Sequence, residues 1–288
     1  MGATVGSFRV QRLLGRGGMG SVYLAEHPII GSKVAIKFLH ESMSASPAAV
    51  GRFYDEARAV NLIGHENIVA IYDLALLPPA RYYIVMEYLD GEPLSALLRK
   101  GRLASSKALD LLVQLTSALQ AAHDHGVVHR DLKPENVFVL RRGERDFVKL
   151  VDFGIAKLAD RTSSAGRTAA GSIVGTPEYM APEQCENRHI DHRTDVYALG
   201  VMAYELATGR LPFTGTSIPR ILLAQLRDAP RPPRELEPAV APALEAAILR
   251  ALAKGPAERF QDMRSFGAAL EGVRRGVAPT PAAAPAAT

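Results

Sequence analysis

Cysteine is almost missing from this 288-residue chain: Cys185 stands alone, which excludes a disulfide framework and any Cys-based zinc site within one chain. Tryptophan is absent and aromatic residues make up only 6%, so the stacking platforms that hold single strands are lacking. No apolar run approaches the ~20 residues of a membrane span. The best stretch, 239–253, is broken by Pro242, Glu245 and Arg250. The opening MGATVGSFRV has neither a basic start nor an apolar run, so no secretory leader is read there. Charge of one sign is scarce as well. The 34 Lys and Arg against 30 Asp and Glu leave a formal net charge of +4, and no basic cluster exceeds a pair such as Arg141-Arg142 or Arg274-Arg275. Nucleic-acid readers gather such residues into a stripe, so nucleic acid is not an expected partner. The expectation is a soluble, cytoplasmic chain with no membrane segment within it, large enough to bury a core without staples.

What is present changes character near residue 91. Before it, short β-branched runs predominate at Phe8–Leu14, Ser21–Ala25, Lys33–Leu39, Ile68–Leu74 and Tyr82–Met86, separated by Gly and Pro turns. One helix interrupts them, with Ser46 as N-cap, Pro47 at the first helical position and periodicity through Ile63. Beyond residue 91 the pattern is mostly helical: 105–125 before Gly126, then 194–208 before Gly209, 217–227 and 239–253. Val137–Leu140 and Phe147–Val151 flank a polar turn at Gly143, a hairpin signal. The prediction is an α+β chain with a small antiparallel β-sheet lobe over 7–89, carrying one main helix, and a larger helical lobe over 90–272. Residues 273–288, Ala/Pro-rich, read as a disordered tail or linker. A membrane anchor is expected only if the natural protein continues beyond residue 288.

Gly15-Arg-Gly17-Gly-Met-Gly20 is a GxGxxG pattern, weak by itself because dinucleotide-binding folds use the same spacing to open a helix. Here Ser21-Val-Tyr-Leu-Ala reads as strand. The acidic residue such folds place about 20 positions on is missing too. A hairpin tip folded over phosphates fits better, since glycines let backbone amides approach anionic oxygens closely. Lys37, in the alternating run Val34-Ala-Ile-Lys37, needs an anionic partner if it faces the lobe interior. Glu56 is the candidate, in phase with Phe53 and Val60; Asp55 competes but is out of phase. Then comes His129-Arg-Asp131-Leu-Lys133-Pro-Glu-Asn136, with a carboxylate, an amine and an amide within six residues, and Asp152-Phe-Gly154 after the next strand. Asp131 can orient a hydroxyl and Lys133 can neutralise phosphate. Asn136 and Asp152 offer oxygens of the kind magnesium takes alongside phosphate. The close histidine pairs His123/His125 and His189/His192 have no carboxylate or cysteine spacing to support zinc.

Taken together, these segments resemble the protein-kinase family from about Phe8 to Phe266, and most closely the bacterial eukaryotic-like (Hanks-type) Ser/Thr kinases. Gly175-Thr-Pro-Glu-Tyr-Met-Ala-Pro-Glu183, Asp195-Val-Tyr-Ala-Leu-Gly200 and Arg259 extend the match. The resemblance implies the two-lobed kinase fold and ATP-dependent phosphorylation of Ser/Thr hydroxyls on proteins, with ATP and Mg2+ (Mn2+ as substitute) as cofactors. It implies that Gly15, Gly17 and Gly20 cover the phosphates and that Leu14, Val22 and Ala35 roof the adenine pocket. Met86 would be its gatekeeper, Glu87 and Leu89 its backbone partners and Phe138 its floor. Lys37 would hold the α/β-phosphates and pair with Glu56. Asp131 would be the catalytic base, Lys133 would steady the γ-phosphate, and Asn136 and Asp152 would hold metal. Glu183 and Arg259 resemble a buried ion pair, Asp195 a brace for the catalytic loop, and 175–183 a platform for a peptide.

A regulatory switch is expected in 152–183. Arg130 and Lys157 would receive a phosphate placed on Thr168, or next on Ser172, by autophosphorylation. A transient homodimer for transfer in trans is the expected self-contact. Thr176 reads instead as a structural hydroxyl. Tyr197 and Ala198 depart from the Trp and Ser of many relatives, a change expected to affect packing and not chemistry.

Overall fold

A computed structural model describes residues 2–18, 20–78, 81–153 and 176–276. The chain divides into two compact units, Met1–Ser95 with Ala121–Val174, and Ala96–Gln120 with Gly175–Thr288.

In the first unit the β-branched runs form strands β1 (Thr4–Val5), β2 (Phe8–Arg16), β3 (Gly20–Glu26), β4 (Lys33–Leu39), β5 (Ile71–Leu77) and β6 (Arg81–Glu87). They make one antiparallel sheet in the order β1-β2-β3-β4-β6-β5. Alternation along β4 sends side chains to two different cores. Val34, Ile36 and Phe38 pack with Val5, Val10, Ala25, Tyr83 and Val85. Leu39 turns the other way, onto Val50, Phe53, Ala57 and Ile84. Lys37, two residues before Leu39, therefore shares the face that meets the helix.

That helix, α1 (Pro47–Ile63), starts and stops as predicted. The Ser46 side chain accepts a hydrogen bond from the Ala49 N–H at 3.4 Å. Pro47 occupies the first position, and Gly64 ends the helix in the left-handed region at φ 58°. Its buried stripe holds Phe53, Glu56, Ala57 and Val60, so a carboxylate lies in an otherwise apolar seam. Burying Phe53 contributes about 2–3 kcal/mol.

A three-stranded sheet of β7 (Gly91–Pro93), β8 (Val137–Arg142) and β9 (Arg145–Leu150) completes this unit. Residues 67–69 belong to its edge: the Leu150 N–H donates to Asn67 O at 2.8 Å and the Val69 N–H to Leu150 O at 3.0 Å. The Asn67 side chain donates to Val148 O at 2.9 Å. Because β9 takes residues 67–69, β5 begins at Ile71, three positions later than the run of apolar residues suggested.

The remaining helices are α2 (Leu94–Lys100), α3 (Ser105–Asp124), α4 (Arg193–Thr208), α5 (Ile218–Arg227), α6 (Pro242–Ala251) and α7 (Met263–Arg274). In the second unit α4 is buried almost all round, from Thr194 to Tyr204, which is the signature of a core helix. At Gly200 an added Cβ would stand 2.8 Å from the Ala251 Cβ, so glycine lets α4 and α6 approach closely. Helix α6 is shorter than the predicted 239–253 because Pro242 fits only its first turn. Helix α7 was not predicted. Asp262 caps it by accepting from the Ser265 N–H at 2.7 Å, and Met263, Phe266 and Leu270 form its buried stripe. Of the predicted tail, Val273 and Arg274 still belong to α7, and 277–288 lie outside the described residues. Among the described residues no helix is long and apolar enough to cross a membrane.

Candidate active site

The glycine pattern sits at the tip of the β2–β3 hairpin, closed by the Gly17 N–H donating to Gly20 O at 2.8 Å. A strand follows it, which removes the dinucleotide-loop alternative. The three glycines differ in why they are glycine. A Cβ on Gly20 would fall 1.9 Å from Phe38 O on β4, whereas Gly15 and Gly17 have nothing within 4 Å. Gly20 thus serves the sheet, whereas the space beside Gly15 and Gly17 is open.

Behind the hairpin, register sets Lys37 opposite Val22 on β3 and Ile84 on β6, while Ala35 lies opposite Met86. Lys37 is buried, and its Nζ stands 2.6 Å from Asp152 Oδ1 and 3.5 Å from Glu56 Oε1. Burial alone would depress the ammonium, but the Asp152 and Glu56 carboxylates outweigh it and hold Lys37 above the usual lysine range. Lys37 also holds the Asp152 carboxyl below the ordinary range, against desolvation. Burial pushes Glu56 up; Lys37 opposes this and the Asp152 charge adds to it. Desolvation is thus the leading influence on Glu56, whereas the Lys37 charge leads at Asp152. Glu56, not Asp55, is the buried acid.

The segment 129–136 folds around one buried imidazole. His129 is fully buried; its Nε2–H donates to Val151 O at 3.2 Å and its Nδ1 accepts from the Asp131 N–H at 3.3 Å, which fixes the tautomer. Its ring lies on Phe153, with centroids 4.7 Å apart. The Val151 N–H donates to Asn136 O at 2.9 Å. Asp152 is therefore suspended between two residues tied to this loop. Its φ of 52° and the 64° of Arg130 are left-handed for non-glycine residues, a cost of about 1–3 kcal/mol each that the surrounding bonds sustain. Lys133 Nζ lies 3.3 Å from Asp131 Oδ2. The Asn136 Nδ2 donates to Asp131 O at 2.9 Å, which turns the amide oxygen away from Asp131 and leaves it as the donor atom for a hard cation.

Lys37, Glu56, Asp131, Lys133, Asn136 and Asp152 thus all belong to one unit. Leu14 is exposed, Ala35 is buried, and Val22, Met86, Glu87, Leu89 and Phe138 are half-buried in the same unit. The Glu87 side chain is engaged by Lys149 Nζ at 2.6 Å, and Lys149 also donates to Ile68 O at 3.1 Å. The sequence reading assigned no role to His129, Phe153 or Lys149. His129 and Phe153 stood inside quoted motifs, and their burial was the part that spacing could not reveal. Lys157, Thr168 and Ser172 lie outside the described residues, so only Arg130 of the expected phosphate pocket is placed.

In the second unit Pro177–Tyr179 form a 3₁₀ turn, and the Tyr179 hydroxyl donates to the Glu205 carboxylate of α4. Glu183 meets Arg259 in a bidentate pair, 2.8 Å on both arms, and accepts from the Thr194 hydroxyl at 2.8 Å. The five N–H donors of Arg259 are all used, since Ala253 O, Arg193 O and Lys254 O take the other three at 2.8–3.0 Å. Asp195 is fully buried at the start of α4.

A family model described as "Protein kinase domain" matches residues 8–261. The serine/threonine-protein kinase Pkn1 of Myxococcus xanthus is 55% identical over 272 residues, 94% of this chain and 39% of its own length. The serine/threonine-protein kinase PknA of Mycobacterium tuberculosis is 38% identical over 95% of this chain and 63% of its own. The chain therefore spans only part of these curated relatives. Among solved structures, the kinase domain of PknI from Mycobacterium tuberculosis aligns with a TM-score of 0.71 at 28% identity, covering 96% of this chain and 98% of that one.

Proposed function

Since the chain belongs to the protein kinase family, with ATP and a divalent metal as the family's reagents, we propose that it phosphorylates Ser/Thr hydroxyls of proteins in bacterial signalling. The observation that carries this reading is Lys37 held between Glu56 and Asp152 in the unit that also holds Asp131, Lys133 and Asn136.

In this reading the glycine hairpin, with no Cβ at Gly15 or Gly17 to obstruct it, lies close over the phosphates, and Leu14, Val22, Ala35, Met86 and Phe138 enclose the adenine, with Glu87 and Leu89 meeting its edge. Lys37, kept charged by its two carboxylates, binds the α/β-phosphates, and Glu56 stops it from swinging away. Asp131, with its backbone N–H pinned by His129, accepts or orients the proton of the acceptor hydroxyl. The hydroxyl oxygen then bonds to the γ-phosphorus as the bond to the β–γ bridging oxygen breaks. Lys133 balances charge on the transferring group.

The donor set suits magnesium, with manganese as a substitute: hard oxygens from Asn136, whose amide nitrogen is committed to Asp131, and from Asp152, kept ionised by Lys37. When bound, the metal neutralises phosphate charge. The transition state is loose and charged, so positioning and electrostatics supply most of the rate. Autophosphorylation of the activation segment 152–183, at Thr168 or Ser172 and received by Arg130 and Lys157, completes the proposal. A transient homodimer acting in trans and a cytoplasmic location go with it.

Intact-mass spectrometry tests this before and after incubation with ATP and magnesium, alongside Asp131→Asn. Phosphate increments confined to the wild type and mapped to 160–176 are expected. No increment on either protein, and none on added protein substrates, overturns the reading.

A further inference from the structure

We propose that Gln225 is a positioning residue for the protein substrate, holding the carbonyls of Pro177 and Glu178 so that the peptide platform keeps one fixed surface. This rests on the protein-kinase reading. The starting point is Tyr197, whose replacement of the Trp seen in many relatives was expected to alter packing alone. In the structure its ring is fully buried, and its hydroxyl donates to Gln225 Oε1 at 2.6 Å.

That one bond decides the orientation of the whole amide. With Oε1 turned to the phenol, the Gln225 Nε2 group faces two consecutive carbonyls, donating to Pro177 O at 3.2 Å and Glu178 O at 2.6 Å. The reversed amide would set its oxygen against both carbonyls, which nothing would bind. Gln225 is 0% exposed, so water cannot take over if the side chain is lost, and two carbonyls would be left without this donor.

The chain of donors extends one step further back. Lys254 Nζ donates to Ala224 O at 3.3 Å and Gln225 O at 2.8 Å, closing the last turn of α5, and approaches the Tyr197 hydroxyl at 3.4 Å. It sits 3.9 Å from the centre of the Phe213 ring. Burial pushes the Tyr197 phenol up, so it stays a donor at any physiological pH.

The bonds from Lys254 to Tyr197, from Tyr197 to Gln225 and from Gln225 to residues 177 and 178 thus run in one direction. The Tyr179–Glu205 bond fixes the same turn from α4 by a separate route. Gln225 accordingly controls the backbone path of 177–178 and not whether the turn exists. Residues 177–178 lie within the stretch 175–183 read from the family resemblance as a platform for a peptide. A shift of their backbone therefore acts on the protein substrate, while the residues assigned to nucleotide belong to the other unit.

The test compares wild type with Gln225→Glu, which keeps the size but replaces the donor group, and Tyr197→Phe, which removes only the hydroxyl. Two acceptors are offered, dephosphorylated casein and an Asp131→Asn copy of this chain, and KM is read on whichever takes phosphate. The dissociation constant of ADP–Mg is measured by calorimetry in parallel. For Gln225→Glu the acceptor KM should rise about tenfold, and for Tyr197→Phe about threefold. ADP affinity should stay within about twofold for both. Tyr197→Phe serves as the folded reference should Gln225→Glu fail to fold. An unchanged acceptor KM in the folded variants, or an ADP constant that rises in step with it, overturns the role of Gln225 alone. A wild type that phosphorylates neither acceptor overturns the kinase reading and this inference with it.

Discussion

Replacing Arg259 by Met tests a salt bridge whose cation is fully buried. Methionine retains much of the apolar stem but removes a guanidinium whose five donors are all satisfied in a site with 0% exposure. Three main-chain carbonyls lose a donor, and the Glu183 carboxylate loses both arms of its pair while keeping the Thr194 hydroxyl. Removing one partner of a buried pair costs roughly 3–5 kcal/mol. The orphaned carbonyls push toward the upper end, and protonation of Glu183 sets a ceiling. Against a total stability of about 5–15 kcal/mol, the variant should still fold at about 25 °C.

At about 2–4 °C per kcal/mol for units of this size, calorimetry at about pH 7.5 should show Tm about 10 °C lower. A double variant, Glu183→Leu with Arg259→Met, should recover part of that loss, because no charge is then stranded. The pH dependence has a definite sign. Burial alone would raise the Glu183 carboxyl, but the bonds to Arg259 outweigh it and hold Glu183 below its ordinary value of 4.5. The pair's contribution is therefore complete above about pH 4.5 and is lost as pH falls through the lowered native value. A Tm drop under about 2 °C for Arg259→Met would refute this account of the second unit.

Lys37→Met, Asp131→Asn and Asp152→Asn should each lower phosphate transfer by roughly two to three orders of magnitude, read by intact mass, and Lys37→Met should also lower Tm because it strands the buried Glu56 carboxylate. Gly20→Ala should lower Tm and loosen the β3–β4 pairing, because the new Cβ would stand 1.9 Å from Phe38 O, while Gly17→Ala, with nothing within 4 Å, should leave Tm unchanged. Asp262→Ala should cost about 1 kcal/mol by uncapping α7, seen as a small shift in the urea midpoint. Burial pushes Lys254 down to about 8 from 10.5. The native state then binds fewer protons than the unfolded chain between those values, so this group makes stability rise with pH across that window. Lys254→Met should flatten the rise in Tm measured from about pH 8 to about pH 10.

Local signals and tertiary ones were not equally legible in the sequence. Ser46, Pro47 and Gly64 bound α1 because caps act within a few residues, and the β4 alternation correctly sent Lys37 to the helix side. Glu56 could be chosen over Asp55 because helical phase is a local property. What the sequence could not show depends on contacts far along the chain. The start of β5 moved to Ile71 because β9, far along the chain, takes residues 67–69. The role of His129 depends on Val151 and Phe153, and that of Tyr197 on Gln225, 28 residues away. Helix α7 was missed although Asp262 gave a capping signal, because its apolar stripe is short and lies beside a low-complexity end.

The interleaving of the two units has a consequence for how the chain can be made. Residues 96–120 belong to one unit but are translated before the other is complete, and Asn67 meets Val148 only across 81 residues. An emerging chain therefore carries the six-stranded sheet for a long interval before β8 and β9 leave the ribosome. Through that interval the edge at 67–69 has no partner strand, and closing so long a loop is slow. A fragment ending at Ser95 should aggregate on expression. Adding residues 121–153 as a separate chain should restore its solubility, because the missing strands need not be covalently joined to pair.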